Sequence, residues 1–137
     1  MTGRNEAIGG GGIHHVAMNS PDFDASVRFY TEALGFVVAH CWGDGDGRAV
    51  LLDTGDGSHL EIFCGPAGTG DASLLHFALR SSDVDGAIER ARAAGAEITV
   101  EPKDVDIPCD PVLPVRLAFC KGPAGETIEF FDDHGAG

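Results

Sequence analysis

Residues 13–36 read IHHVAMNSPDFDASVRFYTEALGF, a pattern that predicts a β-strand leading directly into an amphipathic helix. Because side chains alternate along a strand, His15 is expected on the face opposite His14. Ser20 is the predicted N-cap of the helix, with Pro21 at the first helical position. The helix is expected to end at Gly35 and to bury a stripe formed by Phe23, Val27, Tyr30 and Leu34.

The same pattern recurs from Leu74 onward, which indicates an internal repeat. His15 matches His76 and Asp22 matches Asp83, both at an offset of 61 residues. Each copy is followed by several short strands separated by glycine-rich turns. The sequence therefore predicts an α+β fold of two tandem βαβββ modules, whose sheets together form a cupped metal and ligand site.

The predicted domain covers residues 13–132, with one module at 13–64 and the other at 74–132. Residues 1–12 contain four consecutive glycines and no apolar periodicity, so they are expected to be a mobile tail. Residues 133–137 are expected to be a C-terminal tail. The segment 101–114 holds four prolines and is expected to be an ordered surface loop near the site.

Composition restricts the class of protein. A chain of 137 residues fits one domain, and its net charge of -13 argues against nucleic acid and anionic membranes as partners. Small molecules or other proteins remain as partners. No apolar run approaches a membrane span and no signal peptide is evident, which favours a cytoplasmic protein. The four cysteines have no metal-binding spacing and are expected to be reduced thiols.

Each half of the repeat offers one histidine and one glutamate. Glu61 lies in HLEIF and Glu129 in TIEFF, so apolar neighbours face one side of each strand while the carboxylate faces the other. A single histidine in a strand is usually structural. The duplication favours a different interpretation, because two facing modules would bring His15, His76 and both glutamates together.

Two imidazoles and two carboxylates suit one divalent ion such as Zn, Ni, Mn or Fe(II). The predicted metal ligands are therefore His15, Glu61, His76 and Glu129. His14 is expected to face away from these ligands and is assigned no role. Two residues are candidates for substrate contact, Arg80 for an anion and His59 for a position beside the ligands, although both also fit a surface role.

Several motifs in order along the chain resemble the vicinal oxygen chelate superfamily. They are HHVAM at 14–18, DFDAS at 22–26, LHFAL at 75–79, GPAG at 122–125 and TIEFF at 127–131. This superfamily includes glyoxalase I, methylmalonyl-CoA epimerase, extradiol dioxygenases and the fosfomycin and bleomycin resistance proteins. The resemblance places the four ligand positions of the family on the same four residues, a set most similar to that of glyoxalase I.

The resemblance implies a metal-dependent lyase or isomerase of the glyoxalase I type, acting on a small oxygen-chelating substrate through an enediolate. Glu129 would be the catalytic base, with Glu61 as partner or substitute. The alternatives are another metalloenzyme of the superfamily, a dioxygenase, epimerase or thiol transferase, or a bleomycin-resistance-type binding protein. A βαβββ module leaves its ligand face open until a second module covers it, which also favours a homodimer.

Overall fold

The computed structural model describes residues 4–65, 73–123 and 125–135. Eight strands within these ranges form one mixed sheet that curls into a half-barrel. They are β1 Gly10–Ser20, β2 Val37–Trp42, β3 Ala49–Asp53, β4 His59–Cys64, β5 Ser73–Ser81, β6 Glu97–Ile107, β7 Leu113–Lys121 and β8 Thr127–Asp132. Their spatial order is β2-β3-β4-β1-β5-β8-β7-β6.

The two halves of the sheet have the same topology, which confirms the predicted α+β fold built from a duplicated βαβββ pattern. In each half the first and last strands run parallel to each other, β1 with β4 and β5 with β8. The halves join through the antiparallel pair β1–β5, where Ala17 lies opposite His76. Both central strands of the half-barrel therefore belong to one chain.

Two helices cover the outer face of the sheet: α1 spans Phe23–Arg28 and α2 spans Val84–Ala93. The cluster under α1 consists of Met18, Val50, Leu52 and Ile62, with Phe23, Val27 and Tyr30 packed against it. The cluster under α2 includes Val84, Ala87, Ile88, Ala118, Cys120 and Phe130. These strand residues alternate with inward-facing ones, so the outer face carries the helices while the inner face remains available for a site.

The first helix differs from its predicted form. Its N-cap is Asp22, whose carboxylate accepts from the backbone N–H of Ala25 at 3.1 Å, whereas Ser20 accepts from the N–H of Asp22. After α1 the chain continues as a π-helix over Phe29–Ala33. A π-helix widens the turn and rotates the following side chains, so Leu34 is 54% exposed instead of completing the buried stripe.

The prediction of a mobile tail at 1–12 is wrong for residues 4–12, which the structure describes. Strand β1 already begins at Gly10, and Asn5 forms an isolated bridge with Gly10. The carbonyl of Gly9 accepts from the N–H of Ser82 at 2.7 Å, and Ile8 packs against the cluster under α2. These long-range contacts offset the entropy of ordering that the local sequence cannot.

The prediction of a surface loop at 101–114 is also wrong, because most of this segment belongs to β6 and to the start of β7. Pro102 is tolerated because β6 is an edge strand, and the register of β6 shifts between Val100 and Lys103 around this proline. Only 108–112 connects the two strands. The segment between the two predicted modules, 65–73, lies largely outside the described residues. No helix in the described ranges is long and apolar enough to cross a membrane.

Candidate active site

The four predicted ligands converge on the inner face of the half-barrel. They come from its four central strands: His15 from β1, Glu61 from β4, His76 from β5 and Glu129 from β8. Glu129 Oε1 lies 3.0 Å from the Nε2 atoms of both His15 and His76. The two Nε2 atoms are 3.3 Å apart. One chain therefore assembles the whole group, with two members from each half of the repeat.

Alternation along the strands explains why the carboxylates face inward. Ile62 is fully buried under α1, and Phe130 is 6% exposed under α2. Their neighbours Glu61 and Glu129 must then point to the opposite face, where they are 7% and 3% exposed. The apolar residues that flank each glutamate thus anchor the outer core and aim the carboxylate at the site.

Glu61 Oε1 lies 3.4 Å from His15 Nε2 and 3.8 Å from His76 Nε2, slightly farther than Glu129. The Oε1 atoms of both glutamates are buried and have no hydrogen-bond partner among the described residues. An unpaired buried carboxyl oxygen is costly, and a cation bound between these oxygens and the two imidazoles would remove that cost.

The site is compatible with one divalent ion. Nitrogen and oxygen ligands about 2.1 Å from an ion lie roughly 3.0–3.5 Å from each other, which is the range of most separations here. His15, His76 and Glu129 form the compact part of the group, with one ligand atom from each lying within 4.8 Å of the others. Glu61 is the fourth candidate ligand, on the side of the imidazoles that belongs to the first half of the sheet.

The two carboxyl groups have opposite tendencies to hold a proton. Burial and the charge of Glu129 raise the pKa of Glu61 to about 8. Burial also acts to raise the pKa of Glu129, but the adjacent imidazoles of His15 and His76 outweigh it and leave this pKa below its ordinary value. In the metal-free chain these shifts favour the ionised form of Glu129 and the protonated form of Glu61.

A cavity of about 270 Å³ opens beside the four residues. Its walls are largely apolar and aromatic, and they include Trp42, Phe63, Val105, Ile107, Leu117 and Phe119. Asp106 is the one charged residue that lines it apart from Glu61, Glu129 and the two histidines, and no Lys or Arg side chain of the described residues does so. The cavity therefore suits a small molecule without a strong negative charge.

The two residues predicted to contact substrate do not line this cavity. The guanidinium of Arg80 donates to the carbonyl of Gly57. His59 is 3% exposed, its Nδ1 donates to the carbonyl of His14 at 3.0 Å, and its ring stacks on His14. Arg80 and His59 therefore bond to backbone carbonyls and do not line the cavity beside the ligand group.

His14 is part of the site region, contrary to its predicted outward orientation. The pairing of β1 with β5 shifts register between Ile13 and His15, and such a bulge re-aims side chains. His14 Nδ1 lies 2.8 Å from His15 Nδ1, and His14 Nε2 lies 3.0 Å from Asp133 Oδ2. Strict alternation could not identify this arrangement, although two consecutive histidines in a strand were a visible signal.

Comparisons with known proteins show which family the chain is similar to. A family model described as the Glyoxalase/Bleomycin resistance protein/Dioxygenase superfamily matches residues 12–130. A curated relative, 2-epi-5-epi-valiolone epimerase from an Actinomyces species, is 29% identical over an alignment that covers 96% of this chain and 84% of the relative.

Solved structures show the same fold. Methylmalonyl-CoA epimerase from Mycobacterium tuberculosis aligns with a TM-score of 0.69 and 22% identity, covering 88% of this chain and 87% of that one. The Mn(II)-bound glyoxalase from Novosphingobium aromaticivorans gives a TM-score of 0.70 and 22% identity, covering 88% of this chain but 37% of that one. The chain therefore belongs to the Glyoxalase/Bleomycin resistance protein/Dioxygenase superfamily, known by its chemistry as the vicinal oxygen chelate superfamily.

Proposed function

We propose that the protein is a metal-dependent epimerase that moves a proton at a carbon next to a carbonyl group. The observation that carries this proposal is the pair of buried carboxylates, Glu61 and Glu129, which flank His15 and His76 from opposite halves of the sheet. Epimerisation needs one group to remove a proton from one face of a carbon and another to supply a proton to the opposite face. Two carboxyl groups that reach one centre from opposite halves of the sheet are suited to that requirement.

The proposal assigns one proton-transfer step to each of the two carboxyl groups. The ionised Glu129 carboxylate takes the proton from the carbon, and the electron pair left behind moves toward the carbonyl oxygen. Glu61 then gives its proton to the other face of the carbon. After one turnover Glu61 is ionised and Glu129 protonated, and exchange with solvent restores the starting state.

His15, His76 and Glu129, with Glu61 as a fourth ligand, would hold the divalent ion. When bound, such an ion supplies Lewis-acid stabilisation of the negative charge that develops on the substrate oxygen. The two neutral imidazoles and at least one carboxylate form a donor set appropriate to Zn, Ni, Mn or Fe(II).

The cavity supports a small, uncharged hydroxy ketone as substrate. Its aromatic walls can pack against the C–H face of a substrate ring. A coenzyme A ester would need several cationic side chains to contact its phosphates, and no Lys or Arg of the described residues lines this cavity. The curated relative described above, 2-epi-5-epi-valiolone epimerase, supports an epimerase by its name. A glyoxalase I-type lyase would use the same proton transfer, but the named relatives include more epimerases and thereby favour the epimerase interpretation.

Deuterium exchange in heavy water tests this function. With metal loaded, the wild-type protein should catalyse exchange at the carbon next to the carbonyl of neutral α-hydroxy ketones such as acetoin, followed by proton NMR. Glu61→Gln and Glu129→Gln should each lose about 10²-fold or more of the rate, the usual contribution of a positioned acid or base. Glu61→Gln should keep most of its metal, because His15, His76 and Glu129 remain.

Methylmalonyl-CoA serves as the charged comparison substrate, and Arg28→Ala, a change in the last turn of α1, serves as the control variant. The control should exchange like wild type. If the wild-type protein binds several hydroxy ketones but exchanges none of them, and does not act on methylmalonyl-CoA, a binding protein is the better description. Faster turnover of methylmalonyl-CoA than of any neutral ketone would overturn the assigned substrate class.

We also infer a homodimer, although the ligand group does not require one because a single chain supplies all four residues. Support comes from exposed apolar side chains on β2 at the edge of the sheet, Val37 at 65% and Val38 at 48%. Light scattering at micromolar concentration should give twice the chain mass, and Val37→Lys should reduce it to one chain. A wild-type protein that is monomeric throughout this range would contradict the inference.

A further inference from the structure

A continuous row of polar atoms runs from Asp133 to the ligand group. Asp133 Oδ2 lies 3.0 Å from His14 Nε2, and His14 Nδ1 lies 2.8 Å from His15 Nδ1. His15 Nε2 faces the carboxylates and His76. Both imidazoles of the row are 2% exposed, so bulk water has little access to these nitrogens.

The position of each proton along this row follows from the carboxylate at its end. The hydrogen bond to His14 holds the pKa of Asp133 at about 2, so its oxygen can only accept a hydrogen bond at neutral pH. His14 Nε2 must therefore donate. In a neutral imidazole the other nitrogen is an acceptor, so His14 Nδ1 accepts from His15 Nδ1, and His15 Nε2 carries no proton. Glu129 Oε1 then faces the proton of His76 Nε2, which is also 3.0 Å away, instead of one on His15.

We propose that Asp133 and His14 are positioning residues that fix His15 in the tautomer with a bare Nε2, ready to bind the metal ion. This inference rests on the metal site of the proposed function. Carboxylate–histidine pairs commonly orient a metal-binding imidazole directly. Here a second imidazole lies between the carboxylate and the ligand, which extends the relay by one ring.

The neighbouring side chains hold the His14 ring in place. Its ring stacks on His59 at 4.8 Å between centroids and contacts the ring of Phe131 at 4.3 Å. The β-bulge in β1 turns this side chain to the same face as His15. Without the relay, a proton on His15 Nε2 would point at Glu129 Oε1, 3.0 Å away, and would occupy the lone pair that an ion needs.

Nitrogen-15 NMR of the histidine rings tests the relay in the metal-free protein. In the wild type, His15 should show a protonated Nδ1 and a bare Nε2, and His14 a protonated Nε2. His14→Phe keeps an aromatic ring but removes both hydrogen bonds, and Asp133→Ala removes the terminal acceptor. In both variants the His15 spectrum should shift toward a proton on Nε2.

Zinc titration provides the second measurement. Loss of such a partner typically weakens metal binding about 10–100-fold, and this is the expected increase in the dissociation constant for Zn²⁺ in both variants. Asp133→Asn retains an acceptor oxygen and should lie closer to wild type than Asp133→Ala. Asp132→Ala removes the same charge one residue away, outside the relay, and should leave the tautomer and the affinity unchanged.

The inference is overturned if His15 carries its proton on Nε2 in the wild type, or if Asp133→Ala and Asp132→Ala bind Zn²⁺ equally well. Neither measurement involves a substrate. A wild-type protein with the predicted tautomer and zinc affinity that catalyses no deuterium exchange would end the proposed epimerase function and leave the relay intact. The reverse result, exchange without the predicted tautomer, would end only the relay.

Discussion

At the scale of single residues, the consecutive histidines of β1 illustrate how one backbone irregularity changes the chemistry of a strand. Regular alternation would place His14 on the outer face among the apolar residues that pack on α1. The bulge instead places it inside, between His15 and Asp133. A second imidazole thereby connects the ligand group to the carboxylate that follows β8.

The carboxylate of Asp133 leads to a prediction about how the free energy of unfolding changes at acid pH. Its pKa is lowered to about 2, chiefly by the hydrogen bond with His14, against an ordinary value of about 3.9 in the unfolded chain. Because the folded pKa is depressed, the ionised group contributes stability above about pH 4, and this contribution is lost as the pH falls toward 2. Wild type should therefore lose up to about 2 kcal/mol more than Asp133→Asn over this interval.

Urea unfolding at pH 5, 4 and 3 measures that difference. The free energies of unfolding of wild type and Asp133→Asn should converge as the pH falls, because the variant has no carboxylate to protonate at this position. Asp132→Asn serves as the control and should follow the wild-type pH dependence more closely. Parallel curves for wild type and Asp133→Asn would contradict the lowered pKa.

At the scale of elements, the sequence patterns predicted those features that depend only on residues close together in the chain. The apolar residues around Glu61 and Glu129 indicate which face of each strand is buried, and Asp83, the counterpart of Asp22 in the repeat, is the N-cap of the second helix. The π-helix after α1 and the bulge in β1 depend on packing between strands distant in sequence, which periodicity does not report. The segment at 97–107 forms a strand because β7 supplies a partner, despite its proline.

The N-cap of α2 offers a prediction at this scale. The Asp83 carboxylate accepts from the N–H of Gly86 at 3.0 Å and lies at the positive end of the helix. Asp83→Ala should lower the free energy of unfolding by about 0.5–2 kcal/mol, the usual value of an N-cap. Glu89→Ala on the exposed part of α2 removes only a surface ion pair with Arg92 and should cost less than about 1 kcal/mol.

Thermal unfolding followed by circular dichroism compares the two variants of α2. Since this helix buries Val84, Ala87 and Ile88 over the second half of the sheet, loss of its cap should reduce the midpoint of the whole transition. Equal midpoints for Asp83→Ala and Glu89→Ala would show that the cap contributes little to the stability of the domain.

At the scale of the whole molecule, the decisive feature is the junction between β1 and β5. It places the two copies of the repeat side by side, so that a histidine and a glutamate from each half meet at the middle of one continuous sheet. The repeat itself could be predicted from sequence, but two copies can also pair across a dimer. Only the strand order shows that a single chain completes the ligand group.

Because the ligands come from both halves, an ion bound to all of them would link the halves and stabilise the molecule as a unit. We expect about one Zn²⁺ per chain. A ligand that binds only the folded state at a hundredfold excess over its dissociation constant adds about 2.7 kcal/mol of stability. For a domain of this size that corresponds to a rise in the unfolding midpoint of roughly 5–15 °C.

Calorimetry with and without Zn²⁺, combined with elemental analysis, measures the expected stabilisation. The control is the double variant His15→Ala, His76→Ala, which removes one ligand from each half and leaves both glutamates in place. Its midpoint should not rise with Zn²⁺, and its metal content should fall well below one ion per chain. If wild type and the double variant retain the same metal and show the same shift, the ion binds elsewhere, because neither imidazole then contributes to its affinity.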